Sequence, residues 1–375
     1  MAVLALLFAI FALLGSIQFV VAARLTARFC AHLPKSPQRQ PSVTILKPLC
    51  GADPLAELAL ESFFLLDYPV YQLVFGVQSQ GDPVLEIVAK LRARYPERDV
   101  AVMVNDTVHG QNRKVDNLIN MRPLAKYDIL VMADADIHVP PYYLDDIVAT
   151  LEQPGVGLVT SLYTALPSAP TLAARLGTAQ INQVFLPSAL LARRLGRQDC
   201  MGATMAIKKS VMVEIGGFEA LSNHLADDQV LGRLVVHAGY RVGLSHVVPV
   251  ATVPETLFSA LYQHELRWAR TIRALVPMAY AASILQNPLL WALLAVLVSG
   301  FGWWSLALFA GVWATRVLTA WQVEAVLRLP RTRAVWLFLL RDLFSVIIYS
   351  ASFMGRHVAW RGRSLVADSG RPVPG

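Results

Sequence analysis

The chain alternates between two kinds of hydrophobic pattern. Met1 to Ala23 is apolar almost without a break, interrupted only by Gly15, Ser16 and Gln18, and carries no charge. A run of that length suits a helix that crosses a bilayer. A secretory leader would open on basic residues and hold a shorter apolar stretch, so a lasting membrane helix is the better reading. Arg24 and Arg28 follow at once, and the positive-inside rule then puts the next segment in the cytoplasm. Residues 24–41, closing on the polar, Pro-rich Pro34 to Pro41, read as a linker.

From Ser42 the pattern becomes short apolar runs alternating with helical spacing. Ser42–Lys47, Tyr71–Val77, Val100–Val104 and Tyr127–Met132 have strand length, while Ala56–Leu66, Pro83–Tyr95 and Lys114–Met121 have helical periodicity. Strand–helix alternation with short connections predicts an α/β domain with a parallel sheet covered on both faces. Beyond Gly155 the pattern loosens. A strand at 157–162, a helix near Leu172 to Leu191, a strand-like Cys200–Ile207 and a helix at Gln229–Ala238 are expected. Leu257 to Leu275 repeats Arg267, Arg270 and Arg273 among Leu266, Trp268 and Ile272. That is a basic amphipathic helix of the kind that lies on a membrane surface.

The last third is apolar again. Pro288 to Val326 is long enough for two spans joined near Gly300 to Trp304, and Ala334 to Met354 for a third. Three full crossings would separate the basic Arg328–Arg333 and Arg356–Arg363 segments, which the positive-inside rule wants on one side. A re-entrant or hairpin segment at Ala334–Met354 removes that conflict.

Composition fits a folded domain held between membrane segments: 375 residues are 55% hydrophobic and 16% charged, against about 25% charged in soluble domains. The net charge is +7, but no basic run with interleaved aromatics points to nucleic acid. The Arg clusters border the apolar segments, where anionic headgroups are the natural partner. Cys30, Cys50 and Cys200 are few and scattered, which excludes a disulfide framework or a zinc site built on paired cysteines.

The chemistry centres on Asp134-Ala135-Asp136, which ends the buried run of Tyr127–Met132. Two carboxylates just past the carboxyl end of a strand face the crevice where open α/β sheets bind ligands. Hard divalent ions choose such oxygens, and Mg²⁺ typically adds a substrate's phosphates to one or two carboxylates. His138 stands close enough to be a third ligand, though Pro140-Pro141 behind it suggests a loop residue. Cys200 reads as a small buried hydrophobe. Asp227-Asp228 opens a helix, where acids also serve as simple N-terminal caps.

Further motifs carry a resemblance to a known family. They are Leu46-Lys47-Pro48-Leu49, Leu66-Asp67-Tyr68-Pro69, Lys126-Tyr127-Asp128, Gln198 to Ala206, Leu225-Ala226-Asp227-Asp228 and His264 to Arg270. Together with Asp134-Ala135-Asp136 the chain resembles the inverting, metal-dependent, membrane-anchored glycosyltransferases of the family 2-like, ceramide-glucosyltransferase-like group. Within it the hopanoid-biosynthesis branch looks most similar. The resemblance implies a GT-A (Rossmann-like) α/β fold, a UDP-sugar donor and Mg²⁺ or Mn²⁺ on Asp134 and Asp136. It implies a lipid acceptor at a bacterial inner membrane: a hopanoid polyol taking N-acetylglucosamine, or ceramide taking glucose.

The same resemblance assigns roles by motif. Asp228 matches the base that takes the acceptor's proton, with Asp227 beside it. Arg267 and Trp268 match a Q-x-x-R-W motif near the leaving diphosphate, whose first position is His264 here. Lys114 and Asn117 match a segment at the nucleotide, with Asp134 close by. The Asp that contacts uracil in this group is replaced by Ser79, so either Asp82 or a backbone group is expected to take its place. Lys114 read alone is equally a solvated helix-end lysine, and Trp268 an interfacial anchor. The expected division is a span at 1–23, the linker, a GT-A domain at 42–256, interfacial helices at 257–287, membrane segments at 288–355 and a basic tail at 356–375.

Overall fold

Where the sequence shows runs of strand length, the computed structural model, which describes residues 1–360 and 363–367, places strands, of which β2 and β4 are buried throughout and β3 is half-buried along its length. It divides into two compact units, one of Leu33–Ala169 with Gly196–Pro254, the other of Met1–His32, Pro170–Leu195 and the described residues from Glu255 on.

The first unit is built on β1 (Val43–Pro48), β2 (Tyr71–Val77), β3 (Asp99–Val104), β4 (Ile129–Ala133), β6 (Val156–Ser161), β8 (Thr204–Lys208) and β9 (Arg241–Ser245). They form one sheet of order β3-β2-β1-β4-β8-β6-β9. Helices α2 (Ala56–Phe64), α3 (Val84–Arg94), α4 (Arg113–Met121), α5 (Tyr143–Leu151), α8 (Lys209–Glu214) and α9 (Asp227–His237) complete it. A small second sheet sets β10 (Val250–Val253) between β5 (Ile137–His138) and β7 (Thr164–Pro167).

Two apolar clusters form the core. One packs Phe63, Phe64 and Leu60 with Ile45, Leu73 and Phe75; the other packs Leu118 and Met121 with Leu46, Val74 and Met132. Ile45 and Leu46 thus point to opposite sides, as alternate residues of a strand must. The four strands from β3 to β4 pair in parallel, as expected. In the far half β6 and β9 also pair in parallel, but β8 runs antiparallel to both β4 and β6. The wholly parallel sheet is therefore corrected to a mixed one. A buried apolar run fixes that a strand exists, while its direction is set by distant pairing partners.

Boundaries shift as well. Helix α1 (Ala2–Cys30) runs past the expected end at Ala23, because Ala22, Thr26 and Phe29 keep one buried face at helical spacing. The linker is correspondingly shorter. Residues 170–195 leave the expected continuous 42–256 domain and group with the helical unit. There α6 (Leu172–Gln180), a π-turn at Ile181–Phe185 and α7 (Leu186–Arg194) follow one another.

The helical unit adds α10 (Phe258–Leu275), α11 (Pro277–Ala282), α12 (Pro288–Val298), α13 (Trp303–Val326) and α14 (Trp336–Ser352). Strands β11 (His357–Trp360) and β12 (Arg363–Val366) pair antiparallel. Residues 361, 362 and 368–375 of the expected basic tail lie outside the described residues. Among the described residues α1 and α13 are long and apolar enough to cross a membrane, and α11 to α12 makes a third candidate bent by 61°.

This corrects the expectation for the last third. The 11 residues of α12 reach only about 16 Å, too short on their own for a bilayer core of about 30 Å, so a second span beside α13 has to draw on α11 as well. Ala334–Met354 contains one unbroken helix, not a hairpin. Within the unit, α1 at Gly15 lies against the turn before α12 and its first residue, where a Cβ would fall 2.3 Å from the Leu285 carbonyl oxygen and 3.1 Å from Pro288 Cβ. The basic stripe on α10 is also not free for lipid, since Arg270 and Arg273 donate to the carbonyls of His357 and Gly355.

Candidate active site

The carboxyl ends of β1 and β4 set the centre of the site. Leu46 of β1 pairs with Met132 of β4, so Lys47 and the Asp134 loop emerge side by side. Lys47 is fully buried. Its ammonium donates to the Asp134 backbone carbonyl at 2.7 Å and lies 3.6 Å above the Phe63 ring. Burial pushes the ammonium down to about 7, against the pull of Asp136 and Asp134. The Asp134 amide donates to the Ala203 carbonyl at 3.3 Å, and the Asp136 carbonyl accepts from Thr252 at 3.0 Å. The two carboxylates are thus presented by a loop fastened at three points. Burial raises the Asp136 carboxyl and the neighbouring Asp134 charge raises it further. His138 spends Nε2 on the Thr252 hydroxyl at 2.8 Å in β5.

A second group arrives from the start of α4. Asn112 caps that helix, its Oδ1 accepting from the amides of Lys114 and Val115 at 3.0 and 3.2 Å. Its Nδ2 donates to the His224 carbonyl at 2.8 Å and to Asp227 at 3.2 Å. One residue therefore joins the first turns of α4 and α9. Lys114 then reaches Asp134 Oδ1 at 2.7 Å, Asp227 Oδ2 at 3.7 Å and the Gly202 carbonyl at 3.5 Å. Burial disfavours its charge, but the carboxylates of Asp134 and Asp227 outweigh that and hold the ammonium above its ordinary range. It is no solvated helix-end lysine.

Asp228 is the third group. Its Oδ1 accepts from the Gln229 amide at 2.7 Å, and its Oδ2 lies 3.1 Å from where a Cβ on Gly202 would be. A side chain there would press on that carboxylate. That loop is tied by Gln229 to the Cys200 carbonyl at 2.6 Å and by the Thr160 hydroxyl to both polar groups of Met201. Burial, then the adjacent Asp227, raises the Asp228 carboxyl, with Lys114 opposing. Neither carboxylate is the side-chain cap of α9, whose N-cap is Ala226: Asp228 accepts its neighbour's amide, and Asp227 points to Asn112 and Lys114. Burial likewise pushes the Cys200 thiol well up, as suits an inert small hydrophobe.

Two expected binding residues serve the scaffold. Asn117 is buried and donates to the Gly76 carbonyl at 2.7 Å, fastening α4 to the end of β2. Asp82, the expected uracil partner, accepts the Gly51 amide on both oxygens at 3.0 and 2.9 Å and the Val84 amide at 3.0 Å. It fastens the loop after β1 to the start of α3. Ser79 is exposed and accepts the Gly81 amide at 3.2 Å.

His264, Arg267 and Trp268 all lie on α10, in the helical unit. His264 Nδ1 is hydrogen-bonded to Glu255, and its ring meets Trp268 edge-on at 4.5 Å. The His264 bond and charge outweigh burial, which alone would raise Glu255, and hold its carboxyl below the usual range. Trp268 thus has an intramolecular partner besides any interfacial role. In the sequence Lys47 and Gly202 figure only as parts of longer motifs, with no role read for them or for Asn112 and Glu255, whose contacts depend on distant partners.

Two carboxylates on one loop suit a divalent cation if diphosphate oxygens and water complete its shell. Mutual repulsion at Asp134 and Asp136 is what such an ion relieves. Among the described residues no group of three or more His, Cys, Asp or Glu is gathered for a metal, so the protein alone does not close the shell.

The model of Glycosyl transferase family 21 matches residues 5–373. The chain belongs to that family. A ceramide glucosyltransferase 1 of Caenorhabditis elegans is 24% identical over 253 residues, 66% of this chain and 53% of its own length. A ceramide glucosyltransferase of Komagataella phaffii is 32% identical over 170 residues, 41% of this chain and 33% of its own length. The chain spans about half the length, or less, of these curated relatives. A mannosyltransferase of Pyrobaculum calidifontis, solved with GDP-Man and Mn²⁺, superposes with a TM-score of 0.53 at 18% identity, covering 92% of this chain and 99% of that one. That likeness carries the GT-A fold.

Proposed function

We propose that this family 21 chain transfers a sugar, with inversion, from a UDP-sugar to a hydroxyl of a membrane lipid. The observation that supports it best is the Lys114 bridge, which draws Asp134 of the metal pair and Asp227 beside the base candidate into one charged group. Breaking the anomeric bond leaves negative charge on the diphosphate. A divalent ion on Asp134 and Asp136 would supply the Lewis acid that neutralises it. Lys114 adds a fixed positive charge held in place beforehand, and preorganised charge is usually the largest catalytic contribution. Asp228 takes the acceptor hydroxyl's proton as oxygen attacks the anomeric carbon, and its raised carboxyl suits a base working near neutral pH. Arg267, with Trp268 and His264, faces the leaving diphosphate by motif resemblance.

The names of the curated relatives favour ceramide and UDP-glucose. The Gln198–Ala206 and His264–Arg270 motifs favour a hopanoid polyol and UDP-N-acetylglucosamine. Purified full chain is incubated with Mn²⁺, each UDP-sugar in turn, and vesicles containing ceramide or bacteriohopanetetrol. UDP release that needs both lipid and sugar, with the glycolipid seen by mass spectrometry, is the expected result and names the pair. Release independent of every lipid, or none at all, removes the reading.

A further inference from the structure

Helix α14 carries two adjacent buried charges, Arg341 and Asp342, at 0% and 5% exposure, which the reaction scheme above leaves unused. They point to different helices. Asp342 accepts from Arg316 of α13 at 3.3 Å, and both terminal nitrogens of Arg316 are left without partners. Arg341 is satisfied throughout. Its Nη1 and Nη2 grip Glu265 of α10 in a fork at 2.6 and 2.7 Å. Nη1 also donates to the Leu176 carbonyl at 3.2 Å, and Nε and Nη2 to the Ser345 hydroxyl at 3.3 and 3.2 Å.

Glu265 is placed where such a grip has consequences. It follows His264 directly and precedes Arg267 and Trp268 by two and three residues. Successive residues of a helix are turned by a fixed angle, so holding one carboxylate by two parallel bonds fixes the rotation of that whole turn. The planar fork of arginine does this where a lysine's single ammonium does not. The same turn is braced at its edge by the Glu255–His264 bond and the His264–Trp268 ring contact. A buried ion pair is seldom worth its desolvation as plain stability, and its best-attested use is to fix register.

We propose that Arg341 is a positioning residue for sugar transfer: through Glu265 it sets the rotation of α10, and with it the aim of Arg267 and Trp268. This rests on the reading that Arg267 faces the leaving diphosphate.

The test compares full-length variants in lipid nanodiscs with the donor and lipid that the wild type turns over. Arg341→Met lowers kcat at least thirtyfold while the donor KM stays within threefold, and Arg341→Lys recovers part of the loss. Arg316→Met, which breaks the equally buried neighbouring pair away from α10, keeps kcat per folded molecule within threefold. If Arg341→Met does not fold, the double variant Arg341→Met with Glu265→Leu replaces the pair by apolar groups, and it folds with low kcat. Equal kcat losses in Arg341→Met and Arg316→Met, or a double variant that keeps its kcat, overturn the proposal. A wild type that turns over no lipid overturns the underlying reading instead.

Discussion

Asp228→Asn separates chemistry from architecture more cleanly than any other change at the site. The asparagine keeps the oxygen that accepts the Gln229 amide at 2.7 Å, and it adds no volume against Gly202. Fold and donor affinity are therefore expected to stay, while the proton acceptor is gone. General-base catalysis contributes about 10²- to 10⁴-fold, which corresponds to about 3–5 kcal/mol of barrier. Burial and Asp227 raise the Asp228 carboxyl above the ordinary carboxylate range of about 4. In the wild type kcat/KM therefore falls with decreasing pH through a limb displaced toward neutrality, as the base gains its proton; the variant lacks that limb. Stability runs the other way. A carboxyl held above its unfolded value costs stability that grows as pH rises from the ordinary carboxylate value through the raised one. Neutral asparagine removes that cost, so the variant is at least as heat-resistant as the wild type near pH 7. The assay is UDP release from pH 5 to 9 with donor affinity measured by calorimetry and thermal unfolding in parallel. A variant retaining more than a tenth of wild-type turnover, or keeping the acid limb, refutes the assignment.

Two further changes test neighbouring claims. Asp82→Ala removes the acceptor for the Gly51 and Val84 amides and is expected to cost about 1–3 kcal/mol of stability. Its donor KM stays within threefold, measured by thermal unfolding and kinetics; a large rise in donor KM with unchanged stability returns Asp82 to the nucleotide. Asp136→Asn takes away one of two carboxylates on the metal loop and weakens Mn²⁺ binding in the presence of UDP at least tenfold. Electron paramagnetic resonance titration reads this directly, and unchanged Mn²⁺ affinity contradicts the metal role.

Legibility followed the range of the physics. The Asp134-Ala135-Asp136 pair could be read because a buried strand and its two terminal carboxylates are consecutive. Asp228 and Lys114 could be singled out only through motif resemblance, since Asn112 brings α4 to α9 across a separation of over a hundred residues. The scaffold bonds of Asn117 and Asp82 were hidden for a related reason. A sequence shows that an amide or carboxylate is present, but not that it also fastens a backbone group at Gly76 or Gly51. Buried backbone groups are almost always paired, so side chains beside strand ends are recruited for this first. Arg316, Arg341 and Asp342 count against a membrane segment one residue at a time, yet in the folded unit each faces an opposite charge. Of these pairs only Arg341–Glu265 reaches the turn that carries Arg267.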